Sequence, residues 1–347
     1  MSVSSPSPTR QKIASLEFGR VIAIFAIIGL HCQMALTYWQ IDDVPWVGYV
    51  LNQASRFAVP LFFLIAGYLI QPKLTQSPWQ TLTSYSKPLL KVWVVWSIIC
   101  LATPFNIQNV VEHGYLGERE GYWGYLMSNP INSIMEGGLV HLWFLPALIC
   151  AVLIITILLD MKLDKFVLPI ALGLYIYGVL AGSYVNITEL PSPFFTRNGP
   201  FFSTLLVVIG FSARKNNWSL SSRQAVLMAL IGMIIHFSEA YALTFVNSPF
   251  NTHDFLFGTA LWGSGIFMWL LANPNFGQSA WVTSISSRML GIYVSHLLVV
   301  ILMFNIAGAL EIQGVAKDLL VYPATLVISF LLIAAIEKTP AQKWLLR

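Results

Sequence analysis

The sequence predicts an all-α fold, a polytopic transmembrane helical bundle of about ten spans with both termini cytoplasmic. Three observations predict it. Of 347 residues, 56% are hydrophobic and only 10% are charged, against about 25% charged in an ordinary soluble domain. Ten apolar runs approach the roughly 20 residues needed to cross a hydrocarbon core. Finally, when the chain alternates sides from an inner amino terminus, fifteen of its 19 Lys and Arg fall on inner segments or boundaries, as cytoplasmic loops require.

The opening MSVSSPSPTR is polar, and Pro6 and Pro8 make it a poor helix. Residues 1–15 read as a disordered cytoplasmic tail, followed by a single transmembrane domain over 16–340. The spans fall at 18–36, 46–70, 88–105, 140–159, 166–183, 200–213, 224–246, 255–272, 287–309 and 318–336. The first run is too long for a signal peptide and lacks a small-residue cleavage pattern, so it is expected to be retained. The sixth is short and bounded by Gly199 and Pro200. Trp and Tyr, abundant in this chain, suit the headgroup level of many interfaces.

On the outer half only Arg56, Arg119, Arg197 and Lys317 remain. The net charge of +4 is thereby explained by topology and carries no expectation of nucleic-acid binding. The longest outer connection, 106–139, holds Glu112, Glu118, Glu120 and Glu136. A loop of that length either covers an outward-facing cleft or is an exposed connection with a short surface helix. Cys32, Cys100 and Cys150 lie in apolar runs and are odd in number, which argues against a disulfide framework. The absence of a Cys-x-x-Cys or Cys/His cluster argues against a metal site. There is no glycine-rich phosphate fingerprint, and no internal repeat that would suggest a transporter built from inverted halves.

The first span carries ionisable groups, which are expensive in a membrane and face a bundle interior or an aqueous cavity. Arg20 and His31 are eleven residues apart, about 16 Å along a helix and nearly on one face. Glu17 stands one turn before Arg20. An imidazole with an ordinary pKa near 6.5 is suited to take a proton from a hydroxyl; a satisfied core histidine is the plainer alternative. In the second span Asn52 and Arg56 share a face at a depth comparable to His31, so they are expected to line a common outward cavity. The alternative is an Arg snorkelling to the interface beside a structural Asn. His141 and Trp143 head the fourth span and read equally as an interfacial belt. Ser295 and His296 in the ninth span, and His236 and Glu239 in the seventh, read as functional groups or as polar contacts between helices.

Several of these positions together carry a family resemblance. Arg20 followed by His31, Ser55-Arg56 leading into Val59-Pro60-Leu61-Phe62-Phe63 and Ala66-Gly67-Tyr68, His141-Leu142-Trp143-Phe144, and Leu290-Gly291-Ile292-Tyr293 with His296 resemble the acyltransferase-3 family of membrane acyltransferases. Within it the chain is similar to the branch of surface-polysaccharide O-acetyltransferases, those acting on enterobacterial common antigen among them. The resemblance covers spans one to four and nine, and the middle of the chain only by topology. Glu17 stands where relatives often have Asp, and Ala66 where they often have Ser.

The resemblance implies a multi-pass enzyme of a bacterial inner membrane that moves an acetyl group from cytoplasmic acetyl-CoA to a hydroxyl of a surface or lipid-linked glycan. It carries the family's essential histidine over to His31 and its basic partner to Arg20. The expected layout has the anionic acyl-CoA held near Arg20 and Glu17, with His141, Trp143 and His296 as further donor-binding residues. His31 would be the general base, and Asn52 or Arg56 would stabilise the oxyanion, with no covalent acyl-histidine required. The main rival function is a carrier or exporter of a lipid-linked sugar, lined by the same polar stripe and performing no covalent chemistry; a second is a sensor or scaffold of an envelope synthesis complex, in which the polar contacts are structural.

Overall fold

The computed structural model describes residues 13–346, and among these its regular secondary structure is all helical, with one isolated bridge between Ile41 and Val44. Its helices are α1 (Ala14–His31), α2 (Trp46–Ala54), α3 (Ala58–Gln76), α4 (Pro78–Ala102), α5 (Ile107–Ser128), α6 (Pro130–Glu136), α7 (Phe144–Asp160), α8 (Val167–Leu180), α9 (Val185–Thr188), α10 (Pro200–Lys215), α11 (Ser222–Leu243), α12 (Phe257–Ala272), α13 (Ala280–Ser287), α14 (Met289–Ala309), α15 (Gly314–Ile336) and α16 (Gln342–Leu345). Each of the ten expected spans coincides with one long helix or, in the second, with the pair α2 and α3. Seven of these stretches are long and apolar enough to cross a membrane, Trp46–Gln76 being taken across its break. The helices α8, α10 and α12 are shorter.

The expected tail over 1–15 lies mostly outside the described residues, but Ala14 and Ser15 already belong to α1. Ser15 is buried and donates to the Leu270 carbonyl at 2.6 Å. At the other end the chain stays with the bundle past residue 340, because Trp96 and Lys91 on α4 donate to the carbonyls of Leu345 and Lys343. The first span stops at His31, short of the expected 36. Gln33 and Ala35 take left-handed backbone conformations, and the Ala35 N–H donates to Asp318 at the start of α15, 2.7 Å away.

The second span is not continuous. Around Ser55 and Arg56 the hydrogen bonds tighten to three-residue steps, Arg56 N–H to Gln53 and Ala58 N–H to Ser55. Pro60 supplies the local cause, since it lacks the N–H that would bond the Arg56 carbonyl and its ring crowds that position. At the break the Arg56 side chain meets Asp254 from the loop before α12.

Behind it, α3 packs directly on α10. A Cβ at Gly67 would collide with the Val207 carbonyl, and one at Gly210 with the Leu64 carbonyl, so only glycine allows the backbones this close. At the far end of the bundle Lys215 meets Asp164 at 2.9 Å and Arg288 meets Glu337 at 2.7 Å. The long connection 106–139 folds as α5 and α6 over the His31 end. It is pinned by Arg119, fully buried, which pairs with Glu118 at 2.7 Å and lies 4.1 Å over the Phe105 ring.

Candidate active site

His31 ends α1, and four other segments deliver polar side chains to it. The tight turn between α2 and α3 brings Arg56; the 3-10 turn Val140–Trp143 brings His141 and Trp143; the loop before α10 brings Arg197; the loop before α12 brings Asp254. Together with Tyr293 from α14 they line a cleft of about 220 Å³. His296 lies behind it, its ring 5.2 Å from that of His31 and 5.1 Å from that of His141.

The three imidazoles differ in how they are held. His141 is buried, its Nε2 2.9 Å from the Val294 carbonyl, while its own carbonyl accepts from the Tyr293 hydroxyl. His296 Nδ1 lies 2.5 Å from the Tyr293 carbonyl. The second nitrogens, His141 Nδ1 and His296 Nε2, are buried with no partner. No hydrogen bond fixes His31 among the described residues, and it is only half-buried. Of the three, it is the one whose ring nitrogens are uncommitted and which lines the open cleft.

Opposite stands a chain of alternating charges. Arg56 Nη1 bonds Asp254 at 2.7 Å, Asp254 bonds Arg197 Nη1 at 2.9 Å, and Arg197 Nη2 bonds Glu136 at 2.6 Å. Burial alone would raise the Asp254 carboxyl, but Arg197 and then Arg56 outweigh it and hold it below the usual carboxylate range. Asp254 therefore stays ionised and fixes both guanidinium planes. Arg56 Nη2 also donates to Asn52 Oδ1 at 3.0 Å. Its Nε is buried with no partner, as is that of Arg197, which leaves two charged donors uncommitted at the cleft wall.

Of the residues singled out in the sequence, His31, Arg56, His141 and Trp143 are brought together in one cleft, with His296 directly behind. Asn52 is not in it. It lines a neighbouring cavity of about 210 Å³ with Phe25, Gly29 and Leu30, and its carboxamide oxygen is spent on Arg56. Arg20 and Glu17 are likewise elsewhere, at the opposite end of α1. Glu17 accepts from Thr283 Oγ1 at 2.8 Å, and Ile24 and Ile28 pack, fully buried, between Arg20 and His31. His236 and Glu239 serve structure. His236 bridges Gln53 and Thr259 at 2.9 and 2.8 Å. Glu239 accepts from the first N–H groups of α12, Phe257 and Gly258, a negative charge at a helix N-terminus.

Glu136, Arg197 and Asp254 were not singled out from the sequence. The available signal was that each is an isolated charge in an outer segment next to a span. Glu136 also decides the role of the long connection, which contributes to the cleft wall through its bond to Arg197.

Comparison with known proteins adds the chemistry. Residues 13–337 match the acyltransferase-3 family, described as an acyltransferase domain. Among curated proteins the chain is similar to a serine/alanine racemase of Enterococcus gallinarum, 28% identical over 69% of this chain and 34% of that protein. Two amino-acid racemases of Enterococcus faecalis are 26% and 23% identical, over 58% and 93% of this chain and 28% and 46% of theirs. The chain thus spans less than half the length of these relatives. No solved structure matches it.

Proposed function

We propose that this chain, which belongs to the acyltransferase-3 family and is a multi-pass membrane acyltransferase, is an O-acetyltransferase of a bacterial inner membrane. It takes acetyl from cytoplasmic acetyl-CoA and delivers it to a hydroxyl of a surface or lipid-linked glycan. The observation that carries the reading is the uncommitted imidazole of His31 facing the Arg56 guanidinium across a cleft, at the end of the bundle with few Lys and Arg. The racemase names belong to proteins most of whose length lies outside the alignment, and they are not carried over.

In the proposed reaction His31 removes the proton of the acceptor hydroxyl as its oxygen attacks the thioester carbonyl. A carbon–oxygen bond forms, the carbon–sulfur bond breaks, and the proton passes from His31 to the departing thiolate. Arg56 Nε stabilises the charge developing on the carbonyl oxygen, held in place by Asp254 and Asn52. His141 and His296 position the imidazole by packing. On the donor side, Arg20 at the inner end attracts the anionic coenzyme. The buried Ile24 and Ile28 favour a path for its arm along the other face of α1, where the cavity beside Phe25, Gly29 and Leu30 shares Leu30 and Ser55 with the His31 cleft.

Mass spectrometry of surface glycans tests this directly. Cells carrying the wild-type gene are expected to show acetylated glycan, reduced roughly 10²- to 10⁴-fold in rate by His31→Ala, the usual weight of a general base. Undiminished acetylation in that variant, with the protein inserted at normal level, would sink the assignment.

A further inference from the structure

Beside the His31 cleft lies a second, larger one of about 570 Å³, within the range of small-ligand sites. It is built by the loops over 181–198 and 247–256 and by the corner between α5 and α6. The two clefts share Arg197 and Asp254 as a common wall. The loops are tied down by their own bonds: Ser183 donates to the Phe255 carbonyl at 2.8 Å, and Asn186 to the Val246 and Asn247 carbonyls at 3.2 Å. The cleft is therefore preformed.

Its lining has a definite chemistry. His253 is 2% exposed, yet its Nε2 has no partner; burial and then Arg56 push the imidazole down to about 4, so it is neutral at physiological pH. Asn132, which lines the cleft, spends its carboxamide oxygen on the Phe195 N–H at 2.7 Å, which leaves its amide hydrogens free for another acceptor. Thr252 is exposed at the rim, and the Phe195 ring is 44% exposed. The positive charge of Arg197 is cancelled by Asp254 and Glu136. Neutral donors and acceptors beside a partly exposed aromatic ring, over which the already paired Arg197 guanidinium lies at 5.2 Å, match a polyhydroxylated ring. They do not match an apolar chain or a phosphate.

We propose that this loop-built cleft is the acceptor subsite, that it binds a neutral pyranose unit, and that it presents one hydroxyl past Arg197 and Asp254 to His31. This deepens the acetyl-transfer reading and rests on it for the direction of presentation. Acceptor specificity then resides in loops remote from the catalytic motifs in sequence.

The test uses saturation-transfer NMR on the full chain in nanodiscs. The probes are glucose, galactose, N-acetylglucosamine and their methyl glycosides, with glucuronate and inorganic phosphate as charged counterparts. At least one neutral sugar is expected to bind, and His31→Ala to retain that binding. Thr252→Trp, which fills the cleft from its exposed rim, is expected to weaken it at least tenfold, and Phe195→Ala at least threefold. Both variants are first checked for a monodisperse elution profile, and Thr252→Ser should bind as wild type. Binding only of glucuronate or phosphate, binding of none, or undiminished binding by Thr252→Trp would overturn the subsite. Sugar binding without any acetyl transfer would overturn the acetyltransferase reading and leave the subsite standing.

Discussion

Asp254 is the residue on which the polar wall of the cleft depends, because a single carboxylate holds both Arg56 and Arg197. Removing one partner of a fully buried pair costs about 3–5 kcal/mol. Asp254 keeps 32% of its side chain exposed, so Asp254→Asn is expected to cost about 2–3 kcal/mol, read as a lower unfolding temperature in detergent together with slower acetyl transfer. The pH dependence has a fixed sign. The Asp254 carboxyl is depressed in the folded protein, so its stabilising contribution is complete above the ordinary carboxylate range and is lost as pH falls through the lowered value. Wild type should therefore lose stability in acid more steeply than Asp254→Asn, and equal slopes would show that the junction contributes nothing.

Among the elements, the contact of α3 with α10 is the least forgiving. Gly67→Ala or Gly210→Ala drives a methyl into a carbonyl of the facing helix. Backbone cannot swing aside as a side chain can, so a loss of about 1–3 kcal/mol or more is expected. Gly173 on α8 has open space where its Cβ would be, and Gly173→Ala should leave the unfolding temperature unchanged or slightly raised. Thermal unfolding of the three variants side by side checks both statements. The same comparison shows what the sequence makes legible. Apolar length located every membrane-crossing helix but not the polar 22-residue α5, which lies in the connection 106–139, and spacing put His31 and Arg56 at a comparable depth. The break at Arg56 was hidden because Pro60 sits in an otherwise unbroken apolar run, where hydropathy is blind to a missing N–H. Asn52 does meet Arg56, as their spacing expects, through its carboxamide oxygen, but the tight turn leaves it lining the neighbouring cavity and not the His31 cleft. Asp254, Arg197 and Glu136 meet across more than a hundred residues of chain, a proximity that no local pattern encodes.

At the scale of the whole molecule, segregation of charge between the two ends of the bundle predicts its sidedness. With the His31 end outward, a cysteine at the exposed Thr252 should react with a membrane-impermeant maleimide on intact spheroplasts, and one at the exposed Gln76 only after permeabilisation. Of the native cysteines Cys32 and Cys100 are buried, and Cys150, half-buried in the apolar α7, is replaced by Ser in the background for labelling. The reverse labelling pattern would invert the orientation and with it the side from which each substrate approaches. The glycine seam bears on the mechanics of such a crossing. Two backbones in direct contact leave no layer of side chains to shear, so α3 and α10 act as a stiff fork. Its tines carry Arg56 and Arg197, with Asp254 clamped between them. In the proposed reaction, any widening that admits a substrate then falls to helices outside this pair. The transfer across a bilayer proposed above must not open a leak for ions, and one stiff wall is a simple way to keep the passage sealed while the rest yields.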